Sequence, residues 1–133
     1  MESILSEPVR VFVVEDSAQI RERLLALLAE IDGVQVIGEA EGAPDAIARI
    51  LSTRPDAVVL DISLAPGSGL DVLRAVHPQA PGIAFIVLTN FANPQYRKRC
   101  MDAGASHFFD KSTEMAEVKQ LLSTIVTARR AHV

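Results

Sequence analysis

Five short apolar runs, each too brief for a helix and each followed by a polar residue, constrain this chain more than any other feature. They are Val9–Val14 (VRVFVV), Val34–Ala40 (VQVIGEA), Ala57–Leu60 (AVVL), Ile83–Leu88 and the brief His107–Phe109. Short runs rich in valine and isoleucine, bounded by turn-forming residues, read as strands. Their apolar character is nearly unbroken, so both faces of each strand are expected to be buried. That requires a parallel sheet with helices on either side.

Helical patterns fill the intervals. Asp16 and Ser17 offer capping oxygens ahead of Ile20, Leu24, Leu27, Leu28 and Ile31, which recur at helical spacing until Asp32 and Gly33 stop the pattern. Pro44 suits the first turn of a second helix, which carries Ile47, Ile50 and Leu51 and ends before Pro55. A loop rich in glycine and proline, Ser63–Ser68, leads to a third helix over Gly69–Val76. Pro94 opens a fourth, closed by Gly104. The fifth, Glu114–Ala128, has its apolar stripe at Met115, Val118, Leu122, Ile125 and Val126. The expectation is one α/β domain across residues 1–133, with its core over about 8–128. It is a doubly wound, five-stranded parallel sheet flanked by five helices.

Composition narrows the field further. A chain of 133 residues is of single-domain size, and a domain of that size buries roughly two thirds of its unfolded surface. Its 49% hydrophobic content and net charge of -4 exclude a disordered chain. The apolar stretch around Ile83–Leu88 falls far short of the ~18 residues a membrane span needs. Met1–Pro8 holds two glutamates and no basic residue, so no secretory signal is read there. One cysteine, Cys100, cannot form an internal disulfide, and a cytoplasmic location is expected. The mild acidity argues against direct nucleic-acid binding.

In open parallel sheets, ligands bind at the carboxyl ends of the strands. Glu15 and Asp16 follow the first run, Asp61 the third, Thr89 the fourth, and Lys111 stands just beyond the fifth. Carboxylates gathered in one cleft repel one another and raise each other's pKa. A hard divalent cation relieves this, and Mg²⁺ takes oxygen ligands of that kind. With a lysine and a hydroxyl alongside, the set suits phosphoryl chemistry, in which a carboxylate serves as the nucleophile. Any one of these residues, alone, reads equally well as an ordinary cap or turn former.

Over roughly Pro8–Ala128 the chain resembles the receiver domain of two-component response regulators, on the motifs VFVVEDS, VVLDISLAPGSGLDVL, FIVLTN and AGASHFFDKS. The resemblance implies the CheY-like, flavodoxin-like form of the doubly wound fold. It also implies that Asp61 accepts a phosphoryl group from a sensor histidine kinase or phosphotransfer protein. Asp16 and Asp61 would ligate Mg²⁺, with Glu15 holding it through water and the Ser63 carbonyl completing the protein's share. Lys111 would contact the phosphoryl oxygens, and the Thr89 hydroxyl would turn toward them while Phe108 follows it into the core. The same resemblance puts Ser63 and Asn90 in contact with the phosphoryl group, and Ser63 and Phe91 at the variable positions that tune its lifetime.

The chain departs from the family pattern in places. Ala65 stands where a proline is usual, with Pro66 after it. Ser112 follows Lys111 where many receivers carry a cis-forming proline, which leaves that turn's geometry open. Asn90 follows Thr89 where a smaller residue is typical.

Other signals read more simply. Arg97-Lys98-Arg99 is a solvated helix face, with partner docking as the second reading. Arg129-Arg130 suits a helix carboxyl end. Cys100, with Tyr96 and Ala103, reads as core. His77, His107 and His132 are scattered and carry no site. Pro66-Gly67-Ser68-Gly69 lacks the lysine of a phosphate-cradling loop and reads as the flexible loop after Asp61.

The expected function is a phosphorylation-dependent switch rather than an enzyme, with self-catalysed phosphotransfer and dephosphorylation. It would signal through its fourth helix, fifth strand and fifth helix to a downstream protein, either as a stand-alone receiver or as part of a longer regulator, and the reading is compatible with a homodimer. Two rival readings stand beside it: a pseudo-receiver that binds partners without phosphorylation, and an aspartate-nucleophile Mg²⁺ phosphatase. The second needs an Asp-x-Asp pair after the first strand, where this chain has Glu15-Asp16-Ser17.

Overall fold

The computed structural model describes residues 7–64, 67–90 and 92–131. Strands β1 (Val9–Val14), β2 (Val34–Ala40), β3 (Ala57–Asp61), β4 (Ala84–Thr89) and β5 (His107–Asp110) alternate along the chain with five helices. These are α1 (Ala18–Ala29), α2 (Ala43–Thr53), α3 (Gly69–Val76), α4 (Pro94–Asp102) and α5 (Met115–Ala131). The strands form one sheet in the order β2-β1-β3-β4-β5, and every neighbouring pair is parallel. The doubly wound expectation holds.

Alternate residues along each strand feed two separate cores. Phe12, Val14, Val58, Leu60, Phe85 and Val87 face the side covered by α2, α3 and α4, together with Ile50, Leu73, Cys100 and Phe108. Val11, Val13, Val59, Ile86 and Leu88 face α1 and α5, against Leu24, Leu28, Val118 and Leu122. The three inner strands are buried on both faces, as their unbroken apolar character requires. The expectation of two-sided burial fails at both edges: in β5 only Phe108 is buried, and in β2 Gln35 and Glu39 are exposed and most of the rest is half-buried. Strand order explains it: β2 and β5 are the edges, and their outer flanks meet water.

Cap chemistry sets the helix starts. Ser17 accepts the Ile20 amide at the head of α1, and Asn93 accepts the Tyr96 amide ahead of Pro94 in α4. At α3, Ser68 and Asp71 form a reciprocal capping box. Ser68 and Gly69 are therefore a fixed helix start, not the flexible loop read from the sequence. Ala65 and Pro66 lie outside the described residues, as do Phe91, His132 and residues 1–6.

Several ends run longer than the sequence pattern indicates, β3 through Asp61 and β4 through Thr89 among them. Strand β5 takes in Asp110 because that residue pairs with Thr89. Helix α5 continues past Ala128 because its last turn is tied down, Arg129 to Asp56 at 2.9 Å and Arg130 to Asp32 at 3.5 Å. Those arginines thus reach the loops at the amino ends of the strands, beyond the helix-end role read from the sequence. Cys100 is fully buried beside Tyr96 and Ala103, and burial pushes its thiol pKa up to about 11.

Candidate functional site

Parallel pairing brings the carboxyl ends of β1, β3, β4 and β5 to one rim. Val14 lies opposite Leu60, Asp61 opposite Leu88, and Thr89 opposite Asp110. Residues just beyond Val14 and Asp110 therefore stand beside Asp61 and Thr89. Side-chain oxygens of Glu15, Asp16 and Asp61 lie within 4.8 Å of one another. Glu15 and Asp61 are buried, whereas Asp16 is exposed at the mouth.

Lys111 supplies the counter-charge from the far side. Its Nζ is 2.8 Å from Glu15 Oε1 and 3.2 Å from Asp61 Oδ2, with its side chain 7% exposed. Burial is the largest influence on the Asp61 pKa and raises it, and the neighbouring Asp16 charge adds to it against the opposing pull of Lys111 and the Ser63 amide. Glu15 is likewise raised, mainly by burial. Burial opposes the charge on Lys111, but Glu15 and Asp61 outweigh it and hold its pKa above the ordinary lysine value. Three carboxylates against one ammonium leave two negative charges, the complement of a divalent cation. The donor set, all carboxylate oxygen at one mouth, fits a hard ion.

The other expected residues sort themselves around this centre. Thr89 is buried at the end of β4, and its carbonyl accepts the Lys111 amide at 2.9 Å. The Ser63 amide donates to Asp61 Oδ1 at 3.2 Å, while the Ser63 side chain is exposed. Asn90 is exposed directly beyond Thr89. Phe108 lies in the core, with the Arg97 guanidinium 5.9 Å over its ring.

A family model described as the response regulator receiver domain matches residues 11–123. The chain belongs to that family. Receivers are signalling domains of two-component systems, not conventional enzymes. Over 122 residues this receiver is 28% identical to the response regulator GacA of Pseudomonas viridiflava, covering 92% of this chain and 57% of that protein. It is 30% identical over 121 residues to the DNA-binding transcriptional activator DevR/DosR of Mycobacterium tuberculosis, covering 91% and 56%. The chain thus spans little more than half the length of these relatives. A two-component response regulator of the LuxR family from an Aurantimonas species superposes with a TM-score of 0.84 at 27% identity, covering 93% of this chain and 89% of that one.

Several residues that shape this receiver's site escaped the sequence reading. Gly69 presses against the backbone behind Asp61: a Cβ there would stand 2.5 Å from the Asp61 carbonyl oxygen and 2.8 Å from Ile62 Cα. Arg21 donates to the Glu15 carbonyl at 2.8 Å and pairs with Glu39 at 3.0 Å, bracing the end of β1. Arg97 covers Phe108 from α4, where the sequence suggests a solvated run or a partner-docking face and no contact with the ring. The Gly-Ser-Gly stretch after Asp61 was the available signal for Gly69. Arg21 and Arg97 carry none, since their roles depend on which helix face meets which strand. No helix among the described residues is long and apolar enough to cross a membrane.

Proposed function

We propose that this receiver is a phosphorylation-dependent switch with Asp61 as the acceptor, charged by a sensor histidine kinase or phosphotransfer protein. The observation that carries the reading is the Lys111 ammonium, held between the buried Asp61 and Glu15 carboxylates with Asp16 at the same mouth. An Asp61 oxygen attacks the phosphorus of a phosphohistidine. The new O–P bond makes an acyl phosphate, the P–N bond breaks, and its electron pair stays on the departing imidazole nitrogen. Lys111 leans toward the non-bridging oxygens as their charge grows, which stabilises the transition state electrostatically. Hydrolysis reverses the state: water attacks the phosphorus, inorganic phosphate leaves and the carboxylate returns.

Glu15, Asp16 and Asp61, with the Ser63 carbonyl, would hold Mg²⁺, which when bound neutralises charge on the phosphoryl oxygens. Thr89 presents its hydroxyl to the phosphoryl group from the end of β4. The buried packing of Phe108 is one of two states, and phosphorylation moves the population between them. Arg97 on α4 rests on that ring, which links the switch to the α4–β5–α5 surface and an outside protein partner.

The test is incubation with acetyl phosphate and Mg²⁺, followed by intact mass measurement. One phosphoryl adduct is expected on the parent protein and none on Asp61→Asn. Equal labelling of the two would remove the assignment.

A further inference from the structure

The turn that carries Lys111 lacks the proline common at its next position, and hydrogen bonds from one residue close it instead. Asp110 ends β5 opposite Thr89. Its Oδ1 accepts both the Ser112 amide at 2.8 Å and the Ser112 hydroxyl at 2.6 Å. Its own amide donates to Glu114 Oε1 at 2.9 Å, and its carbonyl accepts the Glu114 amide at 2.8 Å. Between these ties the Lys111 amide donates to the Thr89 carbonyl at 2.9 Å. Every backbone amide from Asp110 to Ser112 is thereby engaged.

This matters because a lysine side chain is a flexible four-carbon stem with no preferred direction of its own. Where its ammonium lands is set by the backbone at its root. Lys111 must bring one nitrogen within reach of two separate carboxylates, and it does so almost wholly buried. Side-chain to backbone bonds from aspartate are a standard way to fix such a turn. The Ser112 contacts also hold the Asp110 carboxyl below the usual carboxylate range.

We propose that Asp110 is a positioning residue for phosphoryl transfer: by closing the Ser112 end of the turn, it aims the Lys111 ammonium at Asp61. The proposal rests on the reading of Asp61 as acceptor. Asp110 touches neither the phosphoryl group nor the other acids in this scheme, and it acts only through Lys111. A merely structural role, such as anchoring the start of α5, would act whether or not Lys111 were present.

A double-mutant cycle separates the two. Initial rates of labelling by acetyl phosphate with Mg²⁺ are measured for the parent, Asp110→Ala, Lys111→Met and the double variant. Asp110→Ala is expected to slow labelling by about tenfold, a part of the roughly hundredfold that a 1 Å misplacement can cost. In the Lys111→Met background the same change should have no further effect. Asp110→Asn keeps the oxygen acceptor and should restore a rate within about twofold of the parent. Thermal unfolding checks that each variant is folded; if Asp110→Ala is not, Ser112→Ala takes its place in the cycle, with a loss of about threefold expected. The proposal is overturned by parent-like labelling of the alanine variant, by an equal slowing in both backgrounds, or by failure of Asp110→Asn to rescue. Asp61→Asn is labelled alongside the cycle as a separate control: if it labels like the parent, the acceptor assignment has failed instead, whatever the cycle shows.

Discussion

Replacing Lys111 with methionine removes the ammonium while keeping most of the stem's bulk, and it exposes how the site balances its charges. At an effective dielectric of ~20, the contacts at 2.8 Å and 3.2 Å represent gross attractions of about 6 and about 5 kcal/mol. Much of that offsets the desolvation of three buried groups. Stranding the partners of a buried pair typically destabilises by about 3–5 kcal/mol. Here the loss is capped, because the protein can take up a proton on one acid instead. From the ordinary glutamate value of 4.5, protonation at pH 7 costs about 3 kcal/mol, and less from the raised values that burial gives Glu15 and Asp61. The expected deficit at neutral pH is therefore about 2–3 kcal/mol, or roughly 7–11 °C in Tm for 133 residues.

The sign of the pH dependence follows from linkage. In the variant, both acids have folded pKa values raised above their unfolded ones. The native state then binds protons that the unfolded chain has already released, so stability improves as pH falls through the folded values. Urea titrations in EDTA should show the full deficit at pH 7 and under about 1 kcal/mol at pH 5. A variant as stable as the parent at pH 7, or a deficit that widens on acidification, would refute the shared-ammonium account.

Other perturbations probe separate parts of the molecule. Mg²⁺ should raise the Tm of the parent, with about 2.7 kcal/mol of stabilisation at a hundredfold excess over Kd, and Asp16→Ala should abolish most of that shift; an undiminished shift puts the ion elsewhere. Gly69→Ala drives a methyl group into the Asp61 carbonyl and should destabilise by about 1–3 kcal/mol, read from the urea midpoint; parent-like stability would mean the backbone yields freely. Asp56 accepts the Arg10 amide and pairs with Arg129, and although its partial burial works the other way, these partners hold its pKa below the ordinary value. A depressed folded value means stability present above the ordinary value of 3.8 and lost as pH falls through the lower folded value. Asp56→Asn should thus cost roughly 0.5–1 kcal/mol at pH 7 for this partly exposed pair, and the difference from the parent should shrink as pH falls below 3.8; a difference that does not shrink refutes the charge-based account.

The fold was legible because short valine-rich runs and their punctuation survive any tertiary context. Strand β2 and helix α3 begin and end where the pattern places them. The site was legible for a related reason: in a parallel sheet every strand end points to one rim, so Glu15, Asp16, Asp61, Thr89 and Lys111 had to be neighbours. Strand order was not written in the same way, and the edge exposure of β2 went with it. Nor was the partner of a long side chain. Lys111 makes its shorter contact to Glu15, not Asp61, and Arg129 reaches Asp56 across the molecule, because reach and direction depend on how elements approach. Gly69 failed to register because its importance lies in what a methyl group would strike.

The sheet also works as an insulating partition. Phe108 belongs to the compartment with α2, α3 and α4, while the buried residues of α5 occupy the opposite one. That ring shares its compartment with Cys100 and Tyr96, whereas Val118, Leu122 and Val126 of α5 pack on the other face of the sheet. Substitutions beneath α1 and α5 therefore repack a core that Cys100 and Phe108 do not share, which leaves the two flanks free to specialise for different contacts.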